Sequence, residues 1–182
     1  LHRHPGPPSR MAPDGGIHSE VTRMFWFGKK NLKLLAPLSG RVVPLEEVPD
    51  KVFAGKMFGD GVAIDPDDDG LVVAPCDGDL VALFPTGHAF GIRGHKGIEV
   101  LVHIGIETVA LEGEGFTLIA KAGSKVKAGD PIVRFDKAIV AAKAPSILTP
   151  VIITTGDRVK SFKAASGTVR AGKDVLLDIE PA

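Results

Sequence analysis

Apolar residues along this chain occur in short, β-branched runs that Gly and Pro interrupt every few positions from Leu34 onward. Helical spacing of the apolar positions is nearly absent, and short strands at such spacing are typical of an all-β sandwich or barrel. The runs are "RVVPL", "GVAI", "LVVAP", "DLVALF", "EVLVHIGI", "PIVRF", "PVIIT", "GTVRA" and "DVLLDI". Two segments, 49–56 and 113–120, are predicted to form short helical turns.

Two pairs of segments resemble each other within the chain. Segment 36–45, "APLSGRVVPL", resembles segment 74–83, "APCDGDLVAL", and segment 126–135, "VKAGDPIVRF", resembles segment 169–178, "VRAGKDVLLD". Each pair places a Gly turn before an apolar strand at the same offset, which indicates duplicated hairpin units packed on each other. Convergence on common turn chemistry is the alternative.

The first residues differ from the rest in composition. Residues 1–23 are rich in Pro, Gly, Arg and His, and we expect a disordered head, a tag or a linker there. An N-terminal segment, 24–33, follows, and the main domain is expected over 34–182. The aromatic residues Phe25, Trp26 and Phe27 precede lysines, so they either touch a membrane surface or cover an edge of the fold.

Composition and charge narrow the class of protein. With 182 residues, 44% of them hydrophobic, the chain suits one domain with a tail and can form a core. Its 22 basic and 22 acidic residues balance, which removes the electrostatic reason to expect nucleic acid as a partner. The single Cys76 excludes a disulfide framework and fits a reducing compartment. No apolar run approaches the ~18 residues of a membrane span, and no secretory signal is visible, so we expect a cytoplasmic location.

Three of the six histidines lie between residues 84 and 106, where "RGHKG" separates two strand-like runs and predicts a hairpin loop. If His95 and Lys96 are the two central loop residues, His88 falls directly opposite His103. Opposed side chains on one face have Cβ atoms only ~4.5–5.5 Å apart, so the two rings are predicted to converge. The same register places Phe90 opposite Leu101, and His95 is expected to be solvated.

Two facing imidazoles disfavour double protonation and suit three kinds of chemistry. They can hold a metal ion, work as an acid–base couple, or act as a nucleophile with a second ring that stabilises charge. Strand alternation puts Thr86 on the face of His88, where its hydroxyl can orient a ring. For either histidine taken alone, the alternative is an ordinary core residue.

Six motifs follow one another from residue 34 to the C-terminus: "APLSG", "VPDKVFAGKMFGDGVAI", "APCDGDLVALFPTGHAFGI", "GIEVLVHIGIETVALEGEGF", "VKAGDPIVRFD" and "SILTPVIIT". Together they resemble the glucose-type enzyme IIA domain of the bacterial sugar phosphotransferase system. The resemblance implies a compact antiparallel β-sandwich and a phosphotransferase that needs no cofactor. It implies a phosphoryl group accepted from the small histidine phosphocarrier protein and passed to the IIB domain of a sugar permease. Regulation by protein binding is a further role that the family has.

The resemblance also implies roles for individual residues. His103 of "LVHIGI" is the phosphorylated nucleophile, His88 of "TGHAF" stabilises the phosphate, and Thr86 orients His88. The family usually has Asn where this chain has Gly87, which leaves the backbone freer at this position. Asp50 and Glu107 match acidic residues that meet arginines on partners.

An apolar rim around the histidines is implied as well, and it keeps water from the P–N bond while forming a docking face. Phe53 and Phe58 lie in a loop-like segment and are expected to be displayed. For Phe84 and Val52, an ordinary core position is an equal alternative. The expected rim residues are Val52, Phe53, Phe58, Phe84, Phe90 and Leu101.

Two other classes of function compete with the relay. "GDPIVRFDKAIV" resembles a lipoyl or biotinyl attachment hairpin, which would make Lys137 a covalent carrier. A zinc hydrolase is the second, with His88 and His103 as two ligands, although no His-x-His or His-Glu-x-x-His motif completes a site. The sugar stays open, since it does not touch a domain of this kind.

Overall fold

The computed structural model describes residues 30–67 and 70–182. The expectations for residues 1–23 and for the aromatic residues Phe25, Trp26 and Phe27 lie outside the described residues. In the part of the chain that is described, no helix is long and apolar enough to cross a membrane.

The regular secondary structure of these residues consists of fourteen strands, two short α-helices and four 3₁₀ turns. The strands are β1 (Leu32–Leu35), β2 (Gly40–Pro44), β3 (Asp60–Pro66), β4 (Gly70–Val73), β5 (Gly78–Leu83), β6 (Ala89–Arg93), β7 (Glu99–His103), β8 (Phe116–Leu118), β9 (Lys125–Val126), β10 (Pro131–Phe135), β11 (Thr149–Ile153), β12 (Val159–Ala164), β13 (Thr168–Val169) and β14 (Val175–Pro181). The α-helices are α1 (Lys51–Ala54) and α2 (Lys137–Lys143), and single 3₁₀ turns cover Leu45–Glu47, His95–Gly97, Thr108–Leu111 and Gly156–Arg158.

The strands pair into antiparallel sheets. The largest has the order β13-β2-β3-β11-β7-β6-β5-β9, and two three-stranded sheets have the orders β1-β14-β12 and β4-β10-β8. This arrangement confirms the predicted all-β, antiparallel sandwich. Strand β1 begins two residues before the expected boundary at residue 34 and pairs with β14 at the other end of the chain.

Two apolar clusters lie on opposite faces of the large sheet, and β7 separates them. Val100 and Val102 of β7 are buried in the larger cluster, with Phe90 and Phe135. Because side chains alternate along a strand, Leu101 faces the other way and packs on the smaller cluster. The smaller cluster consists of Val43, Leu45, Val48, Phe53, Ala63, Ile106 and Ile152.

The two internal repeats are structurally equivalent. Gly40 opens β2 and pairs with Val169 of β13, while Gly78 opens β5 and pairs with Val126 of β9. A Cβ on Gly40 would lie 2.0 Å from the carbonyl oxygen of the facing strand, and one on Gly78 would lie 2.2 Å from its counterpart, so both positions exclude a side chain. The two pairs of similar segments therefore form equivalent strand pairings, as predicted, while their origin by duplication stays a prediction.

The helical predictions succeed in one place and fail in another. Helix α1 forms within 49–56, because the Asp50 carboxylate accepts hydrogen bonds from the first backbone N–H groups and caps it. The helical turn predicted over 113–120 is wrong. Gly113 and Gly115 have φ values of +93° and +86°, which end the preceding 3₁₀ turn, and the chain continues as β8.

Candidate functional site

The two histidines meet at one end of the β6–β7 hairpin. His103 is the last residue of β7 and His88 precedes β6 by one residue. Their ring centroids are 5.1 Å apart, and the planes cross at 78°. His88 is buried and His103 is partly buried, so the predicted convergence of the two rings is confirmed.

The predicted hairpin register is wrong by one residue. The loop has three residues, His95–Gly97, closed by a hydrogen bond from Gly94 N to Ile98 O, with Lys96 and Gly97 in the left-handed region. The ladder therefore pairs His103 with Ala89 instead of His88. His95 is exposed at the loop, as expected.

The turn before β6 brings His88 to His103 in spite of this register. In a continued ladder, His88 would point to the face opposite to that of His103, because successive residues alternate. Gly87 instead has a φ of +77°, in a turn closed by a hydrogen bond from its N–H to Phe84 O at 2.8 Å. The turn, and not strand alternation, sets the direction of the His88 side chain.

A backbone carbonyl defines the tautomer of His103. Its Nδ1 lies 2.8 Å from the carbonyl oxygen of Gly105. Since a carbonyl only accepts, Nδ1 carries the hydrogen, and in the neutral ring the lone pair is on Nε2. Among the described residues, no side chain or backbone group forms a hydrogen bond with that Nε2.

Burial makes both rings poor bases. Burial lowers the pKa of His103, opposed first by the Gly105 carbonyl and then by the Asp50 carboxylate. Burial, with the charge of His103 as a second cause, lowers the pKa of His88 to about 4. Both imidazoles are therefore neutral near pH 7.

Thr86 contacts His88 directly. The hydroxyl oxygen of Thr86 is 2.5 Å from Nδ1 of His88, across the turn at Gly87. This hydrogen bond fixes the ring and leaves Nε2 as the nitrogen that is available towards the neighbouring imidazole. The expected contact between the two side chains is present, although the turn produces it.

Aromatic rings surround the pair. The Phe53 ring centroid lies 5.0 Å from that of His103, and the Phe84 centroid lies 5.1 Å from that of His88. Phe58 packs edge to face on Phe53 at 5.8 Å. Phe58 and Phe84 are 55% and 43% exposed, so they form an apolar surface beside the histidines.

Two of the expected rim residues are buried instead. Phe90 is fully buried in the larger cluster, because the true register pairs it with Val102 and turns it away from the histidines. Phe53 belongs to the smaller cluster and is only 5% exposed, since it lies on α1 and not on a loop. Val52 and Leu101 are partly buried, and Leu101 packs on that cluster.

The two acidic residues have different surroundings. The Asp50 carboxylate is held in place, since it accepts from Val52 N at 2.8 Å and from Phe53 N at 3.2 Å. Glu107 is exposed and has a φ of +56°, a left-handed conformation that is uncommon for a residue other than Gly. The sequence alone revealed neither the cap nor the left-handed backbone.

The structure does not support the two competing functions. Lys137 lies in the first turn of α2, and its ammonium donates to Pro66 O and Asp67 O, both at 2.9 Å. It is thus tethered to the protein and does not stand at the tip of a hairpin. Within residues 30–67 and 70–182, no group of three His, Cys, Asp or Glu residues is arranged to hold a metal ion.

Some features of the site were not predicted. Met57 and Val109 are exposed apolar residues, at 74% and 57%, next in sequence to Phe58 and to Thr108. Gly105, which orients His103, has a φ of +71°, and a Cβ there would come within 2.6 Å of Thr108. The Gly that follows "HI" in "LVHIGI" is the one sequence signal for this turn.

The arrangement suits nucleophilic chemistry on a nitrogen atom. A neutral imidazole presents the lone pair of Nε2, and a second neutral ring that can donate a hydrogen bond faces it. The apolar surface around them lowers access of water to a group held on the nitrogen. Such a site can carry an electrophilic group between two partners.

Comparison with known proteins bears on this chemistry. Residues 32–159 match the family model described as phosphoenolpyruvate-dependent sugar phosphotransferase system, EIIA 1. The PTS system glucose-specific EIIA component of Bacillus cereus is 49% identical over 147 residues, which cover 80% of this chain and 88% of that protein. The protein of the same name from Haemophilus influenzae is 44% identical over 159 residues, 85% of this chain and 95% of that protein.

A solved structure is similar as well. The glucose permease IIA from Mycoplasma capricolum superposes with a TM-score of 0.77 at 44% sequence identity. The match covers 84% of this chain and 97% of that chain. The similarity therefore extends over the strands that carry both histidines.

Proposed function

The chain belongs to the EIIA 1 family of the phosphoenolpyruvate-dependent sugar phosphotransferase system, and from this premise we propose that His103 carries the phosphoryl group. The protein is a phosphotransferase component that takes part in the phosphoryl relay of sugar uptake. One observation supports His103 above all others: the Gly105 carbonyl holds the hydrogen on Nδ1 and leaves the lone pair on Nε2.

The proposed donor is the histidine phosphocarrier protein. Nε2 of His103 attacks the phosphorus atom, and the new P–N bond forms while the donor's P–N bond breaks. The electron pair of the broken bond returns to the imidazole of the donor. Because the lowered pKa of His103 keeps Nε2 free of a proton, this step needs no base.

His88 is proposed to hold the phosphoryl group once it is on His103. Phosphorylation places roughly two negative charges beside the second ring. If the Thr86 hydroxyl donates to Nδ1 of His88, then Nε2–H of His88 is available as a donor to the phosphoryl oxygens. Thr86 thus acts as the residue that orients His88.

The protein is proposed to deliver the phosphoryl group to the IIB domain of a sugar permease. The apolar surface that includes the exposed Phe58 and Phe84 forms the docking face, with Val52 and Leu101 at its edge. Asp50, whose charge acts on His103, and the exposed Glu107 are proposed to meet arginines on a partner, where such charges set steering and register more than affinity. The relatives named as glucose-specific components support glucose as the sugar.

The relay domain is proposed to extend over residues 34–182, together with Leu32 and Lys33, the first two residues of β1. Strand β14, at the C-terminal end, pairs with β1 and packs in the larger cluster, so the last strand belongs to the same core as the site.

Labelling with phosphate tests the proposal. The protein is incubated with the phosphocarrier, its phosphoenolpyruvate-dependent kinase and labelled phosphoenolpyruvate, and the acid-labile label is mapped by peptide mass spectrometry. We expect the label on His103, its loss in His103→Gln, and normal uptake in the control His95→Gln, whose side chain is exposed in the loop. A stably labelled His103→Gln protein would overturn the assignment.

A further inference from the structure

Two buried threonines hold the same peptide unit next to His103. The hydroxyl of Thr108 donates to Ile104 O at 2.6 Å, and the hydroxyl of Thr149 accepts from Gly105 N at 3.3 Å. Ile104 O and Gly105 N are the two ends of one peptide unit. Both threonine side chains are fully buried.

The next peptide unit is held at both ends as well. Its N–H, from Ile106, donates to Ser146 O at 2.9 Å, and its carbonyl, from Gly105, accepts from Nδ1 of His103. Two consecutive peptide units are thus fixed, and the second one orients the histidine. The hydroxyl hydrogen of Thr149 goes to Ile147 O at 3.1 Å, so towards Gly105 N this hydroxyl acts as the acceptor.

These contacts matter because Gly105 lies where the β-ladder stops. Strand β11 pairs with β7 only as far as Val151 and Val102. Beyond that pair the Thr149 hydroxyl, and not a backbone carbonyl of β11, accepts the hydrogen bond from Gly105 N. Gly105, at a φ of +71°, joins the peptide unit that the threonines hold to the carbonyl that accepts from Nδ1 of His103.

We propose that Thr108 and Thr149 are positioning residues which, by clamping the Ile104–Gly105 peptide unit, keep His103 in its Nδ1–H tautomer with Nε2 directed outward. They touch neither the phosphoryl group nor a partner. The proposal rests on the function proposed for His103, but it concerns the unphosphorylated protein and is measured there.

The ring nitrogens of His103 report the tautomer directly. Long-range ¹H–¹⁵N correlation spectra of the full chain at pH 8 are compared for the wild type, Thr108→Val, Thr149→Val and the corresponding Ser variants, with His103→Gln to assign the signals. We expect a protonated Nδ1 and a bare Nε2 in the wild type. The Val variants are expected to shift towards a mixture of both tautomers and to take up phosphate about tenfold more slowly. The Ser variants, which keep the hydroxyl, restore both properties.

Thr155→Val is the matched control. The Thr155 hydroxyl accepts from Glu99 N at 2.9 Å, so it makes the same kind of bond at the other end of β7. It should lose stability but keep the wild-type signals of His103. If Thr149→Val does not fold, Thr149→Cys, which keeps the volume with a weaker acceptor, replaces it.

Folded Val or Cys variants with the wild-type pattern of His103 signals would overturn the proposal, since the hydroxyls would then have a structural role alone. A failure of the function proposed above looks different. It would appear as normal phosphate uptake by His103→Gln, with the ring signals of the threonine variants still displaced.

Discussion

The ring of His88 stands edge to face against the ring of His103, at a centroid distance of 5.1 Å. A group transferred to Nε2 of His103 therefore arrives beside a second imidazole whose Nδ1 is already occupied by Thr86. With the roles proposed above, this geometry separates the two half-reactions: attack would need only His103, whereas departure would also need the charge on the phosphoryl group to be stabilised.

We predict that His88→Gln takes up phosphate at a near-normal rate and delivers it poorly. The Gln amide replaces one hydrogen-bond donor, but it cannot follow the charge that moves as the P–N bond loosens. The expected loss in the delivery rate is on the order of 10²-fold, the typical loss for one oriented donor. Preloaded, labelled protein is mixed with the acceptor domain and the two half-reactions are timed separately. Failed uptake with normal delivery would reverse the two roles.

The lowered pKa of His88 predicts a loss of stability in acid. The pKa is about 4 in the folded protein, against about 6.5 for an unperturbed histidine. As the pH falls, the unfolded chain binds this proton first, so the stability is fully present above about pH 6.5 and is lost progressively towards pH 4. The loss reaches about 2.5 kcal/mol, measured as the free energy of urea unfolding between pH 7.5 and 4.5.

The matched control for this titration is His88→Gln. Its unfolding free energy should depend less steeply on pH over the same range, with a residual slope from His103, whose pKa burial also lowers. Equal slopes in the two proteins would show that His88 does not titrate as the structure indicates.

Phe53 and Phe58 should respond differently to the same substitution. Phe53→Ser removes a 5%-exposed side chain from the smaller cluster and should lower the free energy of unfolding by about 3 kcal/mol. Phe58→Ser, at a position 55% exposed, should change stability by under about 0.5 kcal/mol and weaken partner docking about tenfold. Chemical denaturation and titration calorimetry with the phosphocarrier measure the two effects. Strong unfolding by Phe58→Ser would remove it from the docking face.

Gly87 can be tested with two substitutions that share a steric contact. A Cβ at this position lies 3.0 Å from the Cβ of Phe116, so Ala and Asn meet the same crowding. Only Ala meets the full penalty of the left-handed backbone, about 1 kcal/mol, because Asn is enriched in that region. Thermal unfolding should therefore rank the wild type above Gly87→Asn and Gly87→Asn above Gly87→Ala. Delivery of phosphate should fall in the same order, since this turn directs His88.

The hairpin shows how far the sequence can predict the site. The motifs place both histidines correctly on one site, yet the two-residue loop expected at His95 and Lys96 is a three-residue loop, and the register differs by one. The one-residue shift in register explains why Phe90, expected on the rim, is in the core. The shift did not separate the histidines. His88 precedes β6 and its carbonyl still accepts from Ile104 N, while the turn at Gly87 decides the direction of its side chain.

The repeated "APLSG" and "APCDG" segments predicted the equivalent strand pairings, because the close approach of a neighbouring strand demands Gly at both places.

Other features depend on contacts that no local pattern contains. Helix α2 was missed because it is only seven residues long, with one buried residue, Val140, to indicate its orientation. The threonines at positions 108 and 149 are far apart in sequence and meet only through the Ile104–Gly105 peptide unit.

The duplication also sets an order for folding during synthesis. The repeat built from β4, β5, β9 and β10 is complete once Phe135 has left the ribosome, and it includes the strand on which β6 pairs. The other repeat needs β13 and β14, the last of the described strands, to pair with β2 and β1, the first of them. Closing this long loop is the slow, entropically unfavourable step. A nascent chain thus has a template for the histidine hairpin before it has a closed sandwich, and β1 stays unpaired longest, whereas β2 already pairs with β3.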